Sequence, residues 1–288
     1  MQAVILAAGR GTRLRPITDH VPKPLIPFWG RPFIEYLLET LQGLVDEAII
    51  VVPDNDVIRR RLGDRFGELP LRYACQPVPN GTGDAVLHAR HLVEGPFLLN
   101  LGDTWAPRET MEALIESQAD VVLTSIEVDD PEHHLSISTN GDARVIGLWT
   151  DATTVDAGVF RLCPEIFHHL DRLPPRGTEL RVMQGIDALL RGRADVRTIR
   201  MPQPWLQFGD HEGLGGVLRV MRQMRDRIPG CGGEGDRSLE IATRDSHIAN
   251  SLIFGPGEVV GCTIRDSLIY CARRIEGEEI EGEMGIRV

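Results

Sequence analysis

One lysine, Lys23, stands in a chain of 288 residues; the rest of its 31 basic residues are arginines. Such a bias singles out the one position that escapes it, because a compact ammonium and a planar guanidinium are not interchangeable. Positive charge is also short overall, with 42 acidic residues and a formal net charge of −11. A nucleic-acid binder advertises a basic balance, so no nucleic acid is expected as a partner. No apolar run approaches the roughly 20 residues of a membrane span, which excludes a membrane partner from the reading. The apolar N-terminal run ends within a few residues at Gly9 and Arg10. That pattern reads as a strand entering a loop rather than as a signal peptide. Cysteine is sparse: Cys75, Cys163, Cys231, Cys262 and Cys271 are odd in number and contain no CxxC pair. Buried, reduced thiols and a cytoplasmic location are the expectation. With 42% hydrophobic and 25% charged residues, the composition is that of a globular chain and not a disordered one.

Short β-type runs alternate with amphipathic stretches over the first two-thirds. Val4–Ala7, Ala48–Val52, Leu71–Cys75, Phe97–Leu101 and Val121–Ile126 are predicted strands. Phe33–Leu44, Asp54–Phe66, Asp84–Val93 and Arg108–Gln118 carry apolar residues at helical spacing. This alternation predicts an α/β fold with a parallel sheet covered on both faces. Such sheets bind ligands beyond the carboxyl ends of their strands, which points to the loops after Ala7, Cys75 and Leu101. Shorter strands follow (Leu135–Ser138, Ala143–Trp149, Val155–Leu162), then helices near Glu179–Arg191 and Asp210–Arg227. Residues 228–236, IPGCGGEGD, read as a linker. Beyond it Ile248, Ile253, Val259, Ile264, Ile269, Ile275, Ile280 and Ile286 recur every five or six residues. Neither a helix nor a lone strand has that period, whereas a short parallel β-solenoid does.

The densest chemical signal is Leu6-Ala-Ala-Gly-Arg-Gly-Thr-Arg-Leu-Arg-Pro16, followed by Pro22-Lys-Pro-Leu-Ile-Pro27. Gly9 and Gly11 open a loop directly after the first strand, where backbone N–H groups can wrap an anion. Arg13 and Lys23 add a planar fork and a point charge for phosphate oxygens. The spacing excludes two other phosphate loops. A dinucleotide fingerprint would need glycine at Leu14, and a Walker A loop would need glycine just before Lys23.

These strings resemble those of the sugar-1-phosphate nucleotidylyltransferases, and the resemblance spans roughly residues 1–215. Gln76-Pro-Val-Pro-Asn-Gly81-Thr-Gly-Asp-Ala85 resembles the base-reading loop of the uridylyl and thymidylyl branches. Leu101-Gly-Asp103 resembles the strand end that binds Mg²⁺, and Asp156-Ala-Gly158-Val-Phe160 the Asn-x-Gly-Ile strand of the sugar pocket. Trp205-Leu-Gln207-Phe-Gly209 resembles a Trp-Leu-Asp-x-Gly motif near a second metal contact. The resemblance implies a three-layer, Rossmann-like catalytic domain over residues 1–227 and a solenoid tail, similar to a left-handed β-helix, over 237–288. It implies a homo-oligomer whose substrates are an NTP and a sugar 1-phosphate, with Mg²⁺ as cofactor. Arg13, Lys23 and Asp103 are then catalytic. Leu6, Ala7, Ala8, Gly9, Gly11, Thr12, Gln76, Gly81 and Thr82 bind the nucleotide, and Gly141, Asp156 and Gly158 the sugar. Asp103 is the metal ligand that it implies, and Asp210 is a candidate for a second.

Gln76 can accept from the N3–H of uracil or thymine, and the same amide turned over could serve cytosine. The resemblance favours UTP or dTTP. Two positions depart from the family pattern. Gln207 replaces the second metal carboxylate, and a neutral amide is a poor Mg²⁺ ligand, so Asp210 is the candidate to reach in, with an N-cap of the helix that follows as its alternative role. The Glu-Lys-Pro expected after the Gly-x-Val strand is absent from Val145-Ile-Gly-Leu-Trp149-Thr-Asp151, which leaves room for a non-hexose phosphate. The Gln207 departure also leaves open a catalytically weak subunit that binds nucleotide sugars. The adjacent pairs His133-His134 and His168-His169 are read as solvated, and the acidic run Glu276–Glu283 as an exposed face of the tail.

Overall fold

A computed structural model of the protein describes residues 1–29, 31–132, 134–174, 179–202, 206–209, 213–225, 228, 242–249, 251–265 and 267–287. Its contacts gather into two compact units: Met1–Gly9 with Leu37–Trp205, and Arg10–Tyr36 with Leu206–Val288.

The first unit is built on an eight-stranded sheet. In chain order its strands are β1 (Gln2–Leu6), β2 (Glu47–Val52), β3 (Arg65–Phe66), β4 (Leu69–Cys75), β5 (Phe97–Leu101), β6 (Val121–Glu127), β7 (Thr154–Leu162) and β8 (Val196–Arg200). Their spatial order is β8-β6-β7-β5-β1-β2-β4-β3. The central strands are apolar along most of their length because both faces are covered: Val4, Ile5, Ile49, Ile50, Val51 and Leu99 are fully buried. In chain order the helices up to residue 191 are α1 (Phe33–Leu41), α2 (Val57–Leu62), α3 (Thr82–Ala89), α4 (Arg108–Glu116), α5 (Glu165–Arg172) and α6 (Val182–Arg191), of which α3, α5 and α6 lie together on one face. Val86, Ile166, Leu170, Met183 and Ile186 from these helices join Val4, Val51 and Leu99 in one apolar cluster.

The five predicted strands of the first half form within a residue or two of their expected limits. The sheet is not wholly parallel, however. β7 runs antiparallel to both β5 and β6. The cause is the connection: β6 and β7 are joined through a hairpin, Ile137–Thr139 with Val145–Leu148, and not through a crossover helix. A strand that returns without a crossover pairs antiparallel. The helix expected over Asp54–Phe66 shortens to α2 (Val57–Leu62). Gly63 ends it at φ +72°, and Arg65–Phe66 turns back to pair with β4. Cys75 is exposed, against the expectation of buried thiols, because it ends β4 at the sheet edge; Cys262 and Cys271 are buried.

In the second unit three rings, Phe28, Phe33 and Phe208, pack with centroids 4.7–5.1 Å apart, and all three are fully buried. Trp29 Nε1 donates to the Met221 carbonyl (2.8 Å) on the helix Leu214–Arg225. His20 stacks on Tyr270 at 4.6 Å, a contact between the N-terminal segment of this unit and its tail.

The tail forms three parallel three-stranded sheets from nine short strands between Ala242 and Arg287. Each strand pairs with the one sixteen residues onward, Ala242 with Glu258 and Glu258 with Arg274. Ile248, Ile264 and Ile280 therefore stack in one ladder, Ile253 and Ile269 in a second, and Val259 and Ile275 in a third. The five-to-six-residue period of the sequence is the side length of a coil, and the arrangement fits a parallel β-helix. Ile286 leaves the pattern: Gly285 pairs with Ile269, and Ile286 with Tyr270. Apart from Ile228, the expected linker lies outside the described residues.

Candidate active site

The carboxyl ends of four parallel strands come together along one edge of the first unit. Leu6 pairs with Val51 on one side and Leu101 on the other, and Val52 pairs with Cys75. The loops that follow are the ones the sequence marks: Ala7–Gly9, Gln76–Thr82 and Gly102–Thr104. β7 runs the opposite way, so it delivers its N-terminal half to the same edge, with Val159 opposite Asn100.

Ala7 and Ala8 are buried and Gly9 is exposed. The Ala7 N–H is already committed to the Val51 carbonyl (2.8 Å). An anion at this loop would therefore be left the later N–H groups, from Ala8 onward.

Gln76 follows β4 and is 2% exposed. Its Nε2 donates to the Gly81 carbonyl (3.2 Å) and to Asp84 Oδ2 (2.7 Å). The loop below it is pinned to residues 180–182. Gly83 N–H donates to the Leu180 carbonyl, Leu180 N–H to the Asn80 carbonyl, and Val182 N–H to Thr82 Oγ1. The Thr82 hydroxyl thus supports the loop as an acceptor. Asp84 carries no motif signal of its own. Its place in the first turn of α3 would have marked it only as a residue favoured by the helix dipole.

Asp103 sits on a tight turn. Gly102 donates to the Leu6 carbonyl at 3.0 Å, and a methyl group there would meet that oxygen at 2.5 Å, so only glycine fits. The buried Asn100 amide holds both ends of the turn, donating to the carbonyls of Leu101 (2.7 Å) and Thr104 (2.8 Å). In the sequence Asn100 has one signal, a polar residue inside the apolar run Phe97–Leu101, and no motif marks it. Across from the turn lies a bulge in β7. Asp156 opposes Ser125 and Phe160 opposes Leu123, so β7 carries two residues more than its partner there. Gly158 occupies the bulge at φ +85°, and a methyl group on it would come within 2.9 Å of Thr104 Oγ1. Leu6, Asp103 and the Asp156–Gly158 segment are therefore neighbours. Gly141 lies instead on the exposed turn of the hairpin, whose Ala143 carbonyl accepts the Thr198 N–H of β8 (2.9 Å).

Asp156 Oδ1 accepts the Gly158 N–H at 2.9 Å. The residue keeps part of its surface open, yet protein atoms crowd its carboxyl group. This desolvation pushes the pKa up to about 7, against the smaller opposing pull of the Gly158 N–H. A carboxyl raised in the folded state contributes stability that is fully present below about pH 4 and is lost as pH rises through about 7. Asp156→Asn keeps the acceptor for Gly158 without the charge. Thermal unfolding followed across pH should therefore find the variant equal to the parent at pH 4 and several degrees more stable at pH 8. A difference that stays constant with pH would mean that the carboxyl is not held neutral.

Gly11, Thr12, Arg13, Lys23 and Gln207 belong to the second unit. Gly11 has φ +61°, the left-handed conformation expected of it, and Arg13 is exposed on the 3₁₀ turn Thr12–Leu14. Lys23 is half-buried, with Nζ 5.2 Å from the centroid of Phe208. Gln207 is half-buried and its carbonyl accepts from Arg219 Nη2 (3.2 Å). Asp210 and Trp205 lie outside the described residues. Among the described residues, no three His, Cys, Asp or Glu side chains gather as a metal cage. The hard carboxylate of Asp103 fits Mg²⁺, which commonly takes one or two carboxylates and completes its shell with phosphates and water.

The pattern of the nucleotidyl transferase family matches residues 2–214, and the chain belongs to that family. A glucose-1-phosphate thymidylyltransferase from Streptomyces griseus is 29% identical over 94% of this chain and 80% of its own. The Haloferax volcanii UTP--glucose-1-phosphate uridylyltransferase AglF is 30% identical over 73% of this chain and 91% of its own. The bifunctional protein GlmU of Methanococcus maripaludis is 32% identical over 61% of this chain, and the match spans only 43% of that longer relative. Two solved structures share the fold. A Bacillus anthracis protein described as a glucose-1-phosphate thymidylyltransferase, solved with sucrose, superposes with a TM-score of 0.68 at 21% identity, over 78% of this chain and 96% of its own. The inositol-1-phosphate CTP transferase of T. maritima gives 0.66 at 20% identity, over 79% and 97%.

Proposed function

We propose that this chain transfers a nucleotidyl group from an NTP, UTP or dTTP, to a sugar 1-phosphate, giving an NDP-sugar and pyrophosphate. The observation that carries this reading is the convergence of the Leu6–Gly9 loop, Gln76, Asp103 and the Asp156–Gly158 bulge on one edge of the sheet. The names of the Streptomyces griseus and Haloferax volcanii relatives support the thymidylyl or uridylyl choice.

In the reaction a phosphate oxygen of the sugar 1-phosphate bonds to the α-phosphorus of the NTP, and the bond from that phosphorus to the β-phosphate bridge breaks. The nucleophile is already ionised, so the chain needs no general base; its task is to bring anions into line. Arg13 would bind the leaving pyrophosphate and Lys23 the phosphate oxygens nearer the α-phosphorus. Asp103 would hold a Mg²⁺, which supplies charge to offset that developing on the phosphate oxygens. Asp156 and Gly158 would contact the sugar. A second reading, transfer to a non-hexose phosphate, is favoured by one observation: Val145–Asp151 lacks both the glutamate and the lysine of the family's sugar site.

Purified protein mixed with each NTP, Mg²⁺ and a panel of sugar and cyclitol phosphates is expected to release pyrophosphate with UTP or dTTP. A folded protein that releases none with any pair would sink the catalytic reading.

A further inference from the structure

Resting on the nucleotidyl-transfer reading, an additional specificity residue emerges from how Gln76 is held. A primary amide is ambiguous by nature, with two N–H donors at one end and an acceptor oxygen at the other. In this protein the ambiguity is removed. Both hydrogen bonds of the Gln76 head leave from Nε2, to the Gly81 carbonyl at 3.2 Å and to Asp84 Oδ2 at 2.7 Å. Both partners are acceptors only, a peptide oxygen and a carboxylate. Turning the amide over would set Oε1 against the Asp84 carboxylate, two acceptors facing each other in a site where Gln76 is 2% exposed. Oε1 has no hydrogen-bond partner among the described residues, and it is the end of the amide left for a ligand.

We propose that Asp84 is a specificity-determining residue. It fixes Gln76 with its NH₂ inward and its carbonyl outward, so that the site takes a nucleobase presenting a ring N–H, as uracil and thymine do. A base that presents a bare ring nitrogen there, such as cytosine, meets acceptor with acceptor. His88, one helical turn on, is a titratable group near Asp84, with Nε2 3.6 Å from Oδ2. The competing role for Asp84 is a helix-end one, as the third residue of α3 facing its positive end. That role would affect stability but not the choice between two bases of equal size.

UTP and CTP isolate the contact, because they differ only along the edge being read. Binding of each, with Mg²⁺, is measured on the full chain by calorimetry, and turnover is measured beside it. The parent is expected to prefer UTP at least about tenfold. Asp84→Ala frees the amide to turn and should shrink that ratio about tenfold, chiefly by a gain for CTP. Asp84→Asn, which keeps the shape and can present either end, should fall between. In a Gln76→Ala background, Asp84→Ala should leave the ratio unchanged. A UTP to CTP ratio the same in Asp84→Ala as in the parent overturns the proposal, as does a parent that binds both equally or neither. Turnover with an unmoved ratio defeats this inference alone; a ratio that moves without turnover defeats only the transfer reading.

Discussion

Gly209→Ala is expected to cut turnover about a hundredfold while leaving the protein folded. Gly209 has φ +80°, and a methyl group built on it would lie 2.5 Å from Lys23 Nζ and 2.6 Å from Cε. Neither distance can be tolerated, and the group that must give way is the flexible end of the lysine. It cannot retreat toward Phe208, whose ring is fixed by Phe28 and Phe33 in a fully buried cluster. The alanine therefore displaces the ammonium from its place over that ring. The left-handed backbone adds a stability cost of about 1–2 kcal/mol. Loss of one preorganised charge costs on the order of 10²–10³ in rate, and Lys23→Ala should lose the same amount directly. The two changes must not multiply. In a Lys23→Ala background, Gly209→Ala should lower pyrophosphate release no further. A second hundredfold loss would show that Gly209 acts through something other than Lys23.

Asp103→Ala should likewise lower turnover at least about a hundredfold, with a loss of the response to added Mg²⁺. The turn that carries this carboxylate is specified three times over, by the Gly102 approach to the Leu6 carbonyl and by the two bonds from Asn100. Removing the side chain leaves those backbone contacts in place, so the expected thermal midpoint is close to that of the parent. The measurement is turnover against Mg²⁺ concentration for the parent and Asp103→Ala. A variant keeping more than a tenth of the parent rate, with an unchanged Mg²⁺ profile, would remove Asp103 from the charge-bearing set.

The strands β1, β2, β4 and β5 were legible because each is a short apolar run closed by glycine, proline or charge, and such runs report burial on both faces. The antiparallel course of β7 was not legible. Its own residues say only that it is a strand, and its direction follows from the hairpin that precedes it. The site divides the same way. Gln76 and Asp103 lie in strings whose residue types declare their chemistry. Asp84 and Asn100 act through hydrogen bonds set by the folded geometry, one for Asp84 and two for Asn100, and nothing in their spacing distinguishes them from a helix-end carboxylate or a polar residue inside a strand. Lys23 stands out by composition alone, whereas the closeness of residue 209 to its ammonium does not, because that contact joins positions far apart in the chain.

The sixteen-residue pairing of the tail has a consequence for how its length can change. Inserting or deleting a whole coil returns every isoleucine to its own column, as Ile248, Ile264 and Ile280 already stand. A slip of one residue within a strand instead sets a charged side chain, Arg265 beside Ile264 or Glu279 beside Ile280, where the column should continue. Length variation within the strands of this segment is therefore expected in steps of sixteen residues, whereas extra residues at a corner loop out and leave the columns standing.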